Sequence, residues 1–280
     1  MTESEAYSLN KIYRLINIPR ASYLYWLKTY EASIEKKADF VREVAIIYAK
    51  HKGIYGAPKI HTELKRKGIL CSVSGVSRAM HILGVKSIVA TRFQRKTNTL
   101  KTGEKEQIVN LIKDMQVTHI NQVWTTDITY IKTIKEGTFF LITFIDLYSR
   151  KVVAWDLKKE QKTQDILDVL KRAVRSRNPE PGLIIHSDKG SQFRSAKYRE
   201  FLSKNRLLPS YTSLNHSCDE NANQESFHAQ LKKECVYQKK IYTFNQAKYY
   251  IEDYINNFYN PIRLHSSLGY LPPIVFEASL

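Results

Sequence analysis

The chain has 280 residues, enough for one large domain or two smaller ones, and 43% of them are hydrophobic, which excludes a disordered chain. Lysine and arginine number 44 against 27 aspartates and glutamates, a net charge of +17 that favours a polyanionic partner, because each neutralised phosphate releases condensed counterions. The most apolar run, Phe139 to Ile145, is seven residues long and stops at Asp146, which rules out a spanning helix of roughly 20 residues. The N-terminal MTESEAYSLNKIYRL carries acids and lacks an apolar core, so no secretory signal is expected. Three widely spaced cysteines, Cys71, Cys218 and Cys235, form no CxxC pair, which points to neither a disulfide framework nor a zinc site and fits a reducing cytoplasm.

In chain order, Asp39 to Ala49 places Phe40, Val44, Ile47 and Tyr48 at helical spacing, and Ile60 and Leu64 mark a second helix ending at Gly68. A third helix is predicted from about Ser74 to Leu83, with Val76, Met80 and Leu83 inward, a serine cap before it and Gly84 at its end. Two short helices joined by a brief turn match a helix-turn-helix, whose outward residues on the second helix include Arg78 and His81. Basic excess supports DNA contact there: residues 1–107 hold 20 Lys/Arg against 9 Asp/Glu, the other 173 residues 24 against 18. Residues 1–90 are therefore expected to be a helical DNA-binding region. The polar, charged stretch 91–107 reads as a basic linker, leaving 108–280 as a second domain.

That second part alternates strands and helices. Val123 to Ile131, Thr138 to Ile145 and Lys151 to Leu157 read as three successive strands. A helix is predicted over Thr163 to Val174, then a short strand Leu183 to Ile185, a helix Ala196 to Lys204, a strand near Leu208, and helices Asn221 to Val236 and Phe244 to Tyr259. The fold class is α/β: a mixed sheet with flanking helices, preceded by a small all-helical domain.

Two strands deliver acids at informative places. Asp127 lies inside the apolar, aromatic and threonine run Val123 to Tyr130, where a carboxylate is unfavourable by propensity and costly if buried unpaired. Asp188 closes the run from Leu183 and precedes Lys189-Gly190, at the end of a sheet strand where α/β sites usually sit. Glu225 occupies the first turns of a helix whose buried stripe includes Phe227 and Leu231, with His228 and Lys232 at i+3 and i+7. Asp146, ending a strand, is a competing candidate, while Glu234 reads as solvated. Three converging acids suit Mg²⁺, which keeps several waters and takes only a few carboxylates, and two such ions stabilise the attacking and leaving oxygens of phosphodiester cleavage.

Six blocks in order carry a resemblance over nearly the whole chain: Tyr55 to Val85, NQVWTTDITYI with Asp127, Phe144 to Trp155, LIIHSDKGSQF with Asp188, NANQESFHAQLKKE with Glu225, and Tyr254 to Pro273. The sequence resembles the downstream-frame catalytic subunit of bacterial insertion-sequence transposases encoded by two overlapping reading frames, the group numbered three, within the retroviral-integrase superfamily. The resemblance implies a ribonuclease-H-like core and an Asp-Asp-Glu polynucleotidyl transferase that uses two Mg²⁺ or Mn²⁺ ions. It assigns Asp127, Asp188 and Glu225 as catalytic metal ligands. His228, Lys232, Arg263 and His265 join Arg78 and His81 as expected DNA contacts. It further implies binding of double-stranded element ends and target, a homo-multimer on DNA, an upstream-frame partner, and a nucleoid-associated place in the bacterial cytoplasm. The chain departs from the family pattern at Leu214, Asn215, Asp219, Glu220, Asn223 and Gln224. These departures keep open the alternative of a catalytically decayed transposase acting as a DNA-binding protein. A covalent tyrosine mechanism built on Arg263, His265 and Tyr270 would lack a second suitably spaced arginine and leave the three acids unexplained.

Overall fold

The computed structural model describes residues 18–90, 110–212 and 221–280. The expected linker 91–107 lies wholly outside them, as do Leu214, Asn215, Asp219 and Glu220. The chain divides into two compact units, residues 1–90 and 91–280.

In the first unit, α1 spans Arg20–Lys50, α2 Ala57–Arg66 and α3 Val73–Ile82. Helix α1 begins far upstream of the predicted Asp39. No glycine or proline interrupts the sequence between Pro19 and Gly53, so the helix continues even where Tyr25, Trp26 and Ile34 stay exposed and give no buried stripe. Ser72 caps α3 by accepting the Gly75 N–H at 3.1 Å. Gly68 and Gly84 follow α2 and α3 with φ of +78° and +66°, the left-handed turn-out that glycine adopts most cheaply. Val44, Ile47, Ile60, Leu64, Val76 and Met80 fill the small core, with Leu83 only half-buried.

The second unit is built on a five-stranded sheet of order β3-β2-β1-β4-β5. Strands β1 (Val123–Thr133), β2 (Gly137–Asp146) and β3 (Val152–Lys158) form an antiparallel meander. Strands β4 (Ile184–Ser187) and β5 (Leu208–Tyr211) add in parallel beyond β1. Alternation along β2 sends Ile142 and Phe144 to one face and Leu141 and Ile145 to the other. Helices α4 (Thr163–Arg177) and α5 (Ala196–Lys204) cover the first face through Ile166, Leu170, Tyr198 and Leu202. Helices α6 (Ala222–Leu231) and α7 (Phe244–Glu252) cover the second through Phe227, Leu231, Ala247 and Ile251. Both continue as wider π turns, Lys232–Val236 and Asp253–Tyr259, so their ends fall where the sequence predicted. A short α8, Pro273–Ala278, was not expected. This mixed sheet sandwiched by helices is the ribonuclease-H-like arrangement. No helix among the described residues is long and apolar enough to cross a membrane.

Candidate active site

The site lies where α6 crosses β1. Residues Thr125, Asp127 and Thr129 alternate onto the α6 face of the strand, and Gln224, His228 and Lys232 succeed one another every four residues along the helix. The two rows meet rung by rung. Gln224 Nε2 donates to the Thr125 carbonyl at 2.7 Å, while its Oε1 accepts from Thr143 Oγ1 on β2 at 2.9 Å. His228 Nδ1 stands 3.5 Å from Asp127 Oδ2, and its Nε2 lies 3.2 Å from the Thr143 hydroxyl. Lys232 Nζ donates to Thr129 Oγ1 at 2.6 Å. Burial pulls the Lys232 amine below its ordinary range, and the Asp127 carboxylate acts against that.

Asp188 arrives from the neighbouring strand. The parallel register pairs Thr125 with His186, so two residues further on Asp188 comes level with Asp127. The surrounding protein holds the Asp188 carboxyl above the usual range, and the like charge of Asp127 adds to this; the Gly190 N–H, donating at 3.0 Å, works the other way. A Cβ at Gly190 would stand 3.0 Å from Asp188 Oδ1 and 2.7 Å from Gln192 Oε1, so those side-chain ends would have to shift to admit one.

The structure thus brings Asp127 and Asp188 together, with His228 and Lys232 beside Asp127. Glu225 is exposed on α6, one residue past the buried Gln224. Among the described residues, no three acid, imidazole or thiol side chains stand close enough to cage a metal ion. The remaining candidates fall elsewhere. Arg78 and His81 are exposed on α3 of the helical unit. Arg263 is buried, and its Nε and Nη2 donate to Glu234 at 2.9 and 2.6 Å. His265 is also buried, edge-on to Tyr259 with ring centroids 4.9 Å apart. Both therefore serve the interior of the unit instead of a DNA-facing surface. Glu234, expected in solvent, is the buried partner of Arg263 and also accepts from Tyr254 Oη at 2.8 Å. Asp146 is fully buried and accepts the N–H groups of Asn121, Tyr148 and Ser149, so it is a turn-capping residue. The residue that sequence reasoning undervalued is Gln224. Its signal was the i, i+4, i+8 polar spacing with His228 and Lys232 opposite an alternating polar strand.

Sequence families agree with this architecture. A model described as "Integrase core domain" matches residues 117–217, a second of the same description matches 209–273, and an "HTH-like domain" model matches 35–93. The chain is 35% identical over 236 residues to the transposase for insertion sequence element IS904 of Lactococcus lactis, covering 84% of this chain and 92% of that one. It is 28% identical to the putative transposase InsK for IS150, and 29% to the transposase InsF for IS3A, both of Escherichia coli; each match covers 97% of this chain and 94% of the relative. Among solved structures, the dimeric form of the HTLV-2 integrase catalytic core domain in complex with magnesium matches with a TM-score of 0.43 and 18% identity, over 57% of this chain and 97% of that one. On sequence, the chain belongs to the IS3-group insertion-sequence transposases of the integrase superfamily, and is a DNA transposase.

Proposed function

We propose that this transposase cuts and joins DNA with Asp127, Asp188 and Glu225 as its metal-holding carboxylates. The observation that carries the reading is the convergence of Asp127 and Asp188 from adjacent parallel strands, where burial first, and the like charge of Asp127 second, hold the Asp188 carboxyl up. Two crowded hard-oxygen donors are a poor structural pair and a good cradle for Mg²⁺ or Mn²⁺, which relieves their repulsion. Glu225, exposed on the adjoining helix, is the third donor. Two bound ions would stabilise charge on the attacking and leaving oxygens of the phosphodiester.

The chain's own residues orient this chemistry. Gln224 fixes α6 to β1, so Glu225 is carried at a set height above the strand. His228 stands on the Oδ2 side of Asp127 and the Ile128 N–H donates to Oδ1 at 2.8 Å, so the carboxylate is oriented on both sides, and the remaining lone pairs of its oxygens would serve a metal ion. Lys232 lies beside Asp127, whose charge counters the effect of burial on the amine, and would attract the substrate phosphate. Water first attacks a phosphodiester at an element end and frees a 3′-hydroxyl; that hydroxyl then attacks a second phosphodiester. Each step forms one P–O bond and breaks one, with no covalent link to protein. Residues 1–90 would grip double-stranded DNA through the exposed face of α3, including Arg78 and His81, and 91–107 would tether them to the catalytic domain, 108–280. A homo-multimer would hold both ends, with or without an upstream-frame product, in the bacterial cytoplasm at the nucleoid.

The test is cleavage and joining of labelled element-end DNA, taken from sequence flanking the gene, with Mg²⁺ or Mn²⁺. Wild type is expected to release or join a 3′ end, and Asp188→Asn or EDTA to abolish this while DNA binding persists. Binding without any breakage by wild type, even with the upstream product added, would favour a decayed transposase that acts as a DNA-binding protein.

A further inference from the structure

A chain of hydrogen bonds runs beneath α6 and leads to Asp127. It starts at the Thr125 carbonyl, which can only accept, so the 2.7 Å contact fixes the Gln224 amide nitrogen on that side and turns Oε1 towards β2. Oε1 likewise only accepts, and takes the Thr143 Oγ1 hydrogen at 2.9 Å. A hydroxyl has one hydrogen to give, so at the 3.2 Å contact between Thr143 Oγ1 and His228 Nε2 the imidazole is the donor. In the neutral ring the other nitrogen, Nδ1, then carries a lone pair. That nitrogen stands 3.5 Å from Asp127 Oδ2. An imidazolium would close on a carboxylate to about 2.7–2.9 Å, well short of the separation seen. Two donors bound to one cation, each about 2.1 Å from it, stand about 3.0 Å apart at a right angle and about 4.2 Å apart when opposite. The Asp127–His228 separation falls inside that span. The ring is buried, and its bond to Thr143 keeps it from turning away.

We propose that His228 Nδ1 is a metal ligand beside Asp127, adding one nitrogen to a donor set that is otherwise all oxygen. Metal-bound imidazoles characteristically donate their second N–H to a fixed acceptor, which sets the tautomer, and Thr143 occupies that position here. No three such side chains cage an ion among the described residues, so water completes much of the shell, as it does for hard divalent cations. Imidazole suits first-row transition ions better than Mg²⁺, so the added nitrogen tilts the site away from Mg²⁺ and towards them. Gln224, which sets the direction of the whole chain of hydrogen bonds, is one of the positions at which the sequence departs from the family pattern. The inference rests on the reading of Asp127 as a metal-holding carboxylate.

The full-length protein is titrated with Mn²⁺ alone, followed by loss of the free-ion EPR signal, and the bound ion is then examined by electron spin-echo envelope modulation. Wild type should show the modulation of a directly bound ¹⁴N, replaced by that of ¹⁵N in protein labelled at histidine and lost in His228→Phe. Thr143→Val, which releases the imidazole tautomer, should weaken Mn²⁺ at least about tenfold, the usual cost of removing a ligand's outer partner. Mn²⁺ whose binding is lost in Asp127→Asn, yet which carries no histidine nitrogen in wild type, would overturn the proposal and leave the carboxylate reading standing. Mn²⁺ binding indifferent to Asp127→Asn would overturn both. Should His228→Phe not fold, the isotope exchange in wild type and the affinity of Thr143→Val carry the decision, and unchanged affinity in Thr143→Val would then overturn the proposal.

Discussion

Replacing Arg263 by methionine tests whether that residue is an interior anchor or a DNA contact. The Glu234 side chain has no exposed surface and that of Arg263 only 5%. Burial alone would depress the guanidinium, but hydrogen bonding and attraction from Glu234 more than reverse this and hold it above its ordinary range. In Arg263→Met the carboxylate stays buried, with the Tyr254 hydroxyl still donating to it. Breaking a buried pair by removing one partner costs about 3–5 kcal/mol, or two to nearly four decades in the folded-to-unfolded ratio. The triple variant Arg263→Met, Glu234→Leu, Tyr254→Phe removes the guanidinium, the carboxylate and the hydroxyl that donates to it at once, and is expected to recover to within about 1 kcal/mol of wild type. Urea, being uncharged, is the denaturant of choice, and full-length protein carrying Trp26→Phe lets Trp124 and Trp155 report on the catalytic unit alone. A loss below about 1 kcal/mol in the single variant would refute the reasoning, because that is the scale of a solvated pair.

Three further outcomes follow from the site and its supports. Gln224→Met keeps the bulk of the side chain but leaves the Thr125 carbonyl short of a donor, so stability should fall by about 1–3 kcal/mol and strand transfer should drop more than DNA affinity, as measured by thermal unfolding and single-turnover assays. Gly190→Ala would press a methyl group against Asp188 Oδ1 and Gln192; DNA binding and the unfolding temperature should change little while metal-dependent cleavage falls at least about tenfold, the effect of a misplaced reacting group. Burial raises the Glu277 carboxyl, but Arg177, Lys151 and Ser149 outweigh it and hold the group below the usual range. With its folded value depressed, its stabilisation is present above the unfolded value near 4.5 and is lost as pH falls through the folded one. The gap in urea midpoint between wild type and Glu277→Gln should therefore be full at pH 7 and close in acid; a gap independent of pH would refute the assignment.

The parts of the fold that were legible in sequence are those where a periodic pattern meets a chemical stop. Helix α5 runs from Ala196 to Lys204 as predicted, behind a Ser195 cap, and β1 to β3 lie within two residues of their expected ends. The upstream half of α1 has no buried stripe to read, and α8 is six residues long and opens on two prolines, too short for periodicity. Glu234 shows a different failure. It falls at i+3 from Leu231 and i+7 from Phe227, in phase with the buried stripe, yet a carboxylate reads as solvent-facing unless its partner is known. That partner, Arg263, is 29 residues away and had no local reason to be interior.

The same blindness explains Gln224, and with it the logic of the site. A helix advances about 6 Å over four residues and a strand about 6.6 Å over two, so two such polar rows can stay in step for three rungs. Each rung needs a partner to be tolerable inside the protein, and Thr125–Gln224, Asp127–His228 and Thr129–Lys232 supply them. Sequence reasoning placed Glu225, His228 and Lys232 on one face; the structure shows that the inward face begins one residue earlier, at Gln224, and leaves Glu225 on the exposed edge. The seam sets where the helix stands relative to Asp127, and a rotation of one helical residue, about 100°, separates Gln224, which fixes the helix to the strand, from Glu225 on the exposed edge.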